Sequence, residues 1–288
     1  KKGKKGKKGH DNDRELLLVS LGASISFGYT LDPGLLGLPN EPILADNHHI
    51  PRLADLLEDV FGIEVDEYNL SVPGATSGEI AADQLPDALE EIARYEHGAV
   101  ITVEAGGNDL RAFQAQYLPY CTSTDPADLG VCFYQLNVTL TGVEDNLRTI
   151  LGSLREVAPD APILVQTQYN PLYGQLPDGT PCAPASLAAF ADAVLEGDPA
   201  TNGAPVLGMN PRIRQIAAEY GAEVADVAGL LYTTGQYDNP IYYSSDCTHP
   251  AGTRDAVAYL GLPEDEVGAG FEAHFGAFAF ALAKALLP

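Results

Sequence analysis

Tryptophan is absent from this 288-residue chain and methionine occurs once. Lysine is almost absent as well. Six of the seven lie in residues 1–10, a Lys-Lys-Gly repeat closed by His10, which leaves Lys284 alone in the body. Such a repeat has nothing to bury, so residues 1–10 read as a disordered basic tail or an added tag, and 11–288 as the folding domain. With the tail set aside, ten basic side chains stand against 40 acidic ones, a formal −30 on the body. A surface of that sign repels nucleic acid and anionic membranes, so neither is expected as a partner. The acidity fits salty surroundings, where counterions screen self-repulsion, or equally a plain acidic exported protein.

Further absences narrow the chemistry. No run of 18 apolar residues exists to span a bilayer; Ala277–Leu287 is apolar but short, and reads as a packed terminal helix. The cysteines, Cys121, Cys132, Cys182 and Cys247, lack Cys-x-x-Cys spacing, which argues against zinc. An even count in an exported chain suggests two disulfides, of three possible pairings. Cys121–Cys132, closing a segment rich in Pro and Asp, and Cys182–Cys247 are the favoured pairs. His48-His49 has no acid or thiol at ligand spacing, so neither a metal nor any cofactor is expected. No P-loop and no Gly-x-Gly-x-x-Gly supports nucleotide chemistry. The sequon Asn137-Val138-Thr139 reads as incidental.

Against these absences stands Leu16-Leu17-Leu18-Val19-Ser20-Leu21-Gly22-Ala23-Ser24, an apolar run of strand length that stops at a glycine and presents a serine. A parallel strand ending this way delivers the next side chains to its carboxyl edge, where open α/β sheets place their sites. Three more segments share the character. Tyr68-Asn69-Leu70-Ser71-Val72-Pro73-Gly74 follows a strand-like run from Ile63. Val100 to Val103 leads into Glu104-Ala105-Gly106-Gly107-Asn108-Asp109. Near the C-terminus Asp246 precedes His249 by three residues.

In this order and spacing, the four segments resemble the SGNH (GDSL-type) serine hydrolases, over residues 16–252. One departure is visible: Ala23 stands where the motif has Asp, which puts hydrogen bonding within the turn in question while keeping the nucleophile. The residue chemistry agrees with the resemblance. Acyl transfer needs a nucleophile, a base, a group to orient that base, and donors for the oxyanion. Ser24 supplies the hydroxyl. His249 is the base, with Asp246 placed to accept from its Nδ1. The Ser24 and Gly74 backbone N–H groups and the Asn108 amide are the expected oxyanion donors. Asp109 reads as structural, and Thr76 and Ser77 as helix-capping. A Gly-x-Ser-x-Gly elbow is absent, so the α/β-hydrolase architecture fits poorly.

Strand patterns at 16–21, 63–69, 99–105, 162–168 and 222–227 alternate with helical periodicity. The expected helices are Arg52–Val60, Glu79–Tyr95 broken at Pro86, Val143–Val157, Ser186–Leu195, Asn210–Tyr220, Pro250–Leu260 and Glu272–Leu287. This alternation implies one α/β domain in three layers, a parallel sheet covered on both faces. The resemblance implies a flavodoxin-like five-stranded order, 2-1-3-4-5. Residues 111–142, 170–184 and 228–248 read as loop-rich insertions walling the site. The expected function is carboxylic ester hydrolysis (esterase or lipase) through a Ser-His-Asp triad and an acyl-enzyme. Phospholipase, carbohydrate O-deacetylase or acyltransferase activity on the same machinery remains open, as does a non-catalytic binding module. The substrate is expected to be a small-molecule or lipid ester, and the protein a secreted bacterial monomer whose signal peptide, if there was one, has been removed.

Overall fold

A computed structural model of the protein describes residues 15–30, 43–44, 48–95, 98–176, 178–244, 246–250 and 269–286. Five strands form one parallel sheet: β1 (Glu15–Leu21), β4 (Glu64–Asn69), β5 (Ala99–Val103), β6 (Ile163–Gln166) and β7 (Glu223–Ala225). Their order is β4-β1-β5-β6-β7, which is 2-1-3-4-5 along the chain. Strand β1 is central enough that Val19 pairs with Tyr68 on one side and Ile101 on the other. A small antiparallel pair, β2 (Tyr29–Thr30) and β3 (Ile43–Leu44), lies apart.

The two-residue period of a strand divides the core. Leu17, Val19, Leu21, Ile101, Val103, Ile163 and Val165 point to one face. There they meet α4 (Leu85–Ile92), α5 (Gly107–Cys121), α6 (Pro126–Val157), α7 (Ala185–Glu196) and α8 (Met209–Glu219). Leu18, Val100, Leu164 and Ala225 point to the other face, covered by α2 (His49–Phe61), α9 (Val227–Thr233) and α10 (Ala269–Leu286). All five residues of β5 are buried. Burial on both faces is why β1 and β5 read as largely apolar runs rather than as alternation, whereas β4 at the sheet edge, Glu64–Asn69, is half exposed and polar.

Three differences from the sequence reading have physical causes. Residues 111–142 are largely helical, not loop. Asp125 caps α6 by accepting from Ala127 N–H at 2.9 Å, with Pro126 in the first turn. Cys132, Leu136, Leu140, Val143 and Leu147 then bury one stripe at three- and four-residue spacing. Second, Pro86 does not end its helix. A short α3 (Ser77–Glu79), opened by a Thr76–Glu79 capping box, widens into a π-turn over Ile80–Gln84, and Pro86 sits in the first turn of α4 where its missing N–H is harmless. Third, the segment after β7 carries α9, with Asp226 at its cap accepting from Gly229 N–H at 3.1 Å. The helix expected over Pro250–Leu260 lies outside the described residues beyond Pro250, as does the tail at 1–10.

The connection from β1 leads outward to β4, and the chain then crosses back over β1 to β5. Connections therefore diverge between the carboxyl ends of β1 and β5, the crevice where doubly wound sheets hold ligands.

Candidate active site

Strand β1 ends at Leu21, and the chain turns through Gly22 and Ala23 into α1 (Ser24–Phe27), a single helical turn. The turn is tight: a Cβ on Gly22 would lie 2.8 Å from Ser26 Oγ and 3.0 Å from Glu104 Oε2. Gln84, carried by the π-turn, clamps Gly22 by accepting from its N–H at 2.9 Å and donating to its carbonyl at 2.8 Å. Glu104 Oε2 accepts from Ala23 N–H at 3.0 Å and from Ser26 N–H at 3.1 Å. At 2% exposure, burial raises the Glu104 pKa. The bonds from Ala23 and Ser26, and the nearby His249, pull the other way. Gly28 closes α1 at φ 87°, a left-handed conformation that glycine tolerates, and a Cβ there would meet the His48 ring at 2.6 Å. The reversal turns Tyr29 over the site, its ring centroid 4.5 Å from that of His249.

From the far end of the chain, His249 brings Nε2 to 2.8 Å from Ser24 Oγ. Its Nδ1 bonds Asp246 Oδ2. Asp246 Oδ1 accepts the Thr248 and His249 backbone N–H groups, both at 2.9 Å. Burial pushes the Asp246 carboxyl up, but the imidazole and those two N–H groups outweigh it and hold it below the ordinary carboxylate range. An acceptor of this kind places the ring proton on Nδ1, so Nε2 accepts from the Ser24 hydroxyl.

The loop that bears His249 is fastened on several sides. Ser244 N–H donates to the His249 carbonyl at 2.7 Å. The Tyr169 hydroxyl donates to the Thr248 carbonyl at 2.8 Å, and Arg111 Nη1 to Thr248 Oγ1 at 3.2 Å. A disulfide joins Cys247 to Cys182, and another joins Cys121 at the end of α5 to Cys132 in α6. Cys247 takes φ 58°, the only non-glycine residue in the left-handed region among the described residues. Held there, it costs of order 1–3 kcal/mol that its surroundings must offset.

The expected oxyanion donors are placed differently from one another. Asn108, second residue of α5, donates one Nδ2 hydrogen to the Ala75 carbonyl at 2.9 Å and keeps a second for another acceptor. Gly74 adopts φ 88° on the exposed turn closed by Ala75 N–H on the Val72 carbonyl at 3.0 Å. Val72 N–H in turn reaches the Gly22 carbonyl at 3.1 Å, tying that turn to the end of β1. Asp109 accepts from Ser77 N–H and Ser77 Oγ, each at 2.8 Å, and so binds this turn to α5. Ser24, Asn108, Asp246 and His249 line one cavity of about 420 Å³, walled by α5 and α7; Gly74 does not line it.

Sequence reasoning passed over Glu104, Gln84 and Tyr29. A lone carboxylate at the end of a buried apolar strand was the available signal for Glu104, since a buried acid must find donors. Gln84 and Tyr29 act through the π-turn and the Gly28 reversal, which leave no comparable trace. His48 and His49 pack with His274 among Phe271 and Phe278. Among the described residues no group of three or more His, Cys, Asp or Glu could hold a metal ion, and no helix is long and apolar enough to cross a membrane.

The sequence matches the GDSL-like lipase/acylhydrolase family over residues 20–253. No sequence among curated proteins matches it. Among solved structures, the lipase Lip_vut3 from a goat rumen metagenome is 17% identical, with TM-score 0.59 over 92% of this chain and 97% of that one. The extracellular lipase of Streptomyces rimosus is 15% identical, with TM-score 0.54 over 93% and 99%. The acetylxylan esterase Axe2 of Geobacillus stearothermophilus is 14% identical, with TM-score 0.53 over 96% and 95%. At these identities the likeness is one of fold.

Proposed function

Because the chain belongs to the GDSL-like lipase/acylhydrolase family, we propose that it hydrolyses carboxylic esters through an acyl-enzyme on Ser24. The observation that carries this reading is the 2.8 Å contact between Ser24 Oγ and His249 Nε2, with Asp246 behind the imidazole. In the first half-reaction His249 Nε2 takes the Ser24 proton as Oγ bonds to the carbonyl carbon. The carbonyl oxygen gathers negative charge and is met by the Ser24 N–H and the Asn108 amide. Gly74, outside the cavity lining but on the turn that Asn108 holds through the Ala75 carbonyl, offers the third N–H. Collapse breaks the bond to the alkoxy oxygen, which leaves with the proton from Nε2. Water then attacks in the same way, the acid departs, and Ser24 recovers its proton. Asp246 stays ionised throughout, favouring the imidazolium formed in each half.

Two disulfides suit an oxidising compartment, which favours action outside the cell. A fluorophosphonate probe tests the assignment. The folded protein should be labelled at Ser24 and lose turnover of p-nitrophenyl esters. A Ser24→Ala variant that still cleaves them at the original rate would remove the proposal.

A further inference from the structure

The walls of the site cavity divide by chemistry. Its charged groups gather at the Ser24 end and all are engaged there: Glu104 with the Ala23 and Ser26 N–H groups, Asp246 with His249, and Arg111 with Thr248. Away from that end, two helix faces look across the cavity. Leu110, Phe113 and Leu118 lie three to five residues apart on α5, and Leu187, Phe190 and Val194 lie three and four apart on α7. Among the described residues, none fills the space on the cavity side of these side chains. Gln114 is a polar side chain on the α5 wall; a sugar placed there would give up hydrogen bonds to water for few partners besides it, whereas an alkyl chain loses nothing polar and gains apolar contact.

We propose that this space is an acyl subsite, which makes medium-chain esters, rather than acetylated carbohydrate, the substrate class. The proposal rests on the ester-hydrolase reading above. A methylene is close in size to a water, which occupies about 30 Å³ in the liquid. On that scale the cavity of about 420 Å³ accommodates the ester group and an acyl tail of about eight to ten carbons. The acyl end is assigned to the pocket because it stays bonded to Ser24 through both half-reactions. The alcohol must leave and water must come in, which suits the open side of the site.

The experiment measures kcat/KM for p-nitrophenyl esters from acetate to palmitate, beside acetates of alcohols of rising length and acetylated xylan. With p-nitrophenol constant, kcat/KM should climb about fourfold per methylene over the first few carbons, and peak near octanoate or decanoate. Ala191 lines the cavity on α7. Ala191→Phe should lower the octanoate-to-acetate ratio at least tenfold, and Leu187→Ala should move the peak to longer chains. Melting curves of both variants verify that they fold, and either one, folded, is sufficient. A peak at acetate, a length dependence that follows the alcohol, or ratios unmoved in folded variants would overturn the acyl subsite. If Ser24 still takes the phosphonate in those cases, the hydrolase reading stands alone. No labelling and no ester cleavage would overturn both.

Discussion

Glu104 reaches from the end of β5 to Ala23 at the end of β1, its Oε2 3.0 Å from the Ala23 N–H. The same oxygen receives Ser26 N–H, so one carboxylate holds the backbone on both sides of Ser24. Ala23 occupies the position where the family motif has Asp, and its N–H is held by the acid that follows the neighbouring strand. Glu104→Ala should leave two buried donors unpaired, at about 1–3 kcal/mol each. It should lower kcat by about 10² through misplacement of Ser24, with a smaller change in KM. Glu104→Gln keeps an acceptor oxygen and should recover most of that loss. Steady-state kinetics and melting curves on both variants decide it; a wild-type kcat in Glu104→Ala would mean the turn holds itself.

The Ser24–His249 contact should carry its own kinetic signature. Ser24→Ala and His249→Ala should each lower kcat by about 10³ or more, and the double variant should lose little beyond either, since the pair acts as a unit. Asn108→Ala should cost about 10²–10³ in kcat with little change in KM. Additive losses in the double variant would contradict the 2.8 Å Ser24–His249 contact as a functional one.

Cys182→Ser should affect rate as well as stability. Its bond to Cys247 spans 65 residues, and releasing it removes about 4 kcal/mol in the chain-entropy model. It also frees a left-handed residue lying between Asp246 and His249, so kcat should fall. Cys121→Ser opens a span of 11 and should cost about 3 kcal/mol, with a weaker effect on kcat. Parallel melting and kinetic measurements separate the two; equal effects on rate would show that Cys247 does not position the base.

Three histidines should make the fold sensitive to acid. Burial lowers His48 and His274 from the ordinary 6.5 to about 4, and holds His49 well below 6.5 with help from the other two. Between about pH 6.5 and 4 the unfolded chain then binds protons that the folded one refuses. The stability these groups confer is therefore whole above pH 6.5 and lost progressively as pH falls through about 4. The slope is about 1.4 kcal/mol per pH unit for each histidine fully titrated. Chemical denaturation from pH 8 to 4 checks this, and His274→Leu should flatten the slope. An unchanged slope in that variant would place the acid sensitivity elsewhere.

What the sequence revealed follows from where side chains are buried. The central strands were legible because a strand covered on both faces needs a largely apolar run, as in Leu16–Leu21 and Ala99–Val103, each interrupted by one small buried hydroxyl residue, Ser20 or Thr102. Ser24, Asn108, Asp246 and His249 were legible because each follows a strand end or a turn with few alternatives for its chemistry. Helix α5 and the first half of α6, before the expected Val143–Val157, were hidden by Pro119, Pro126 and the polar residues 122–125, of which only the last four form the connection. The β2–β3 pair is two residues long on each side, too short for any periodicity to show. Glu104 and Gln84 work through contacts 62 to 81 residues away in sequence, and no local pattern encodes a partner that distant.

Ser24 and His249 stand 225 residues apart along the chain. A ribosome adding about 5–20 residues per second needs about ten to forty-five seconds to travel between them. Throughout that interval the hydroxyl has emerged and its base has not. On the proposed reading, the nascent polypeptide lacks its base until the segment bearing His249 arrives, and the order of synthesis itself delays reactivity.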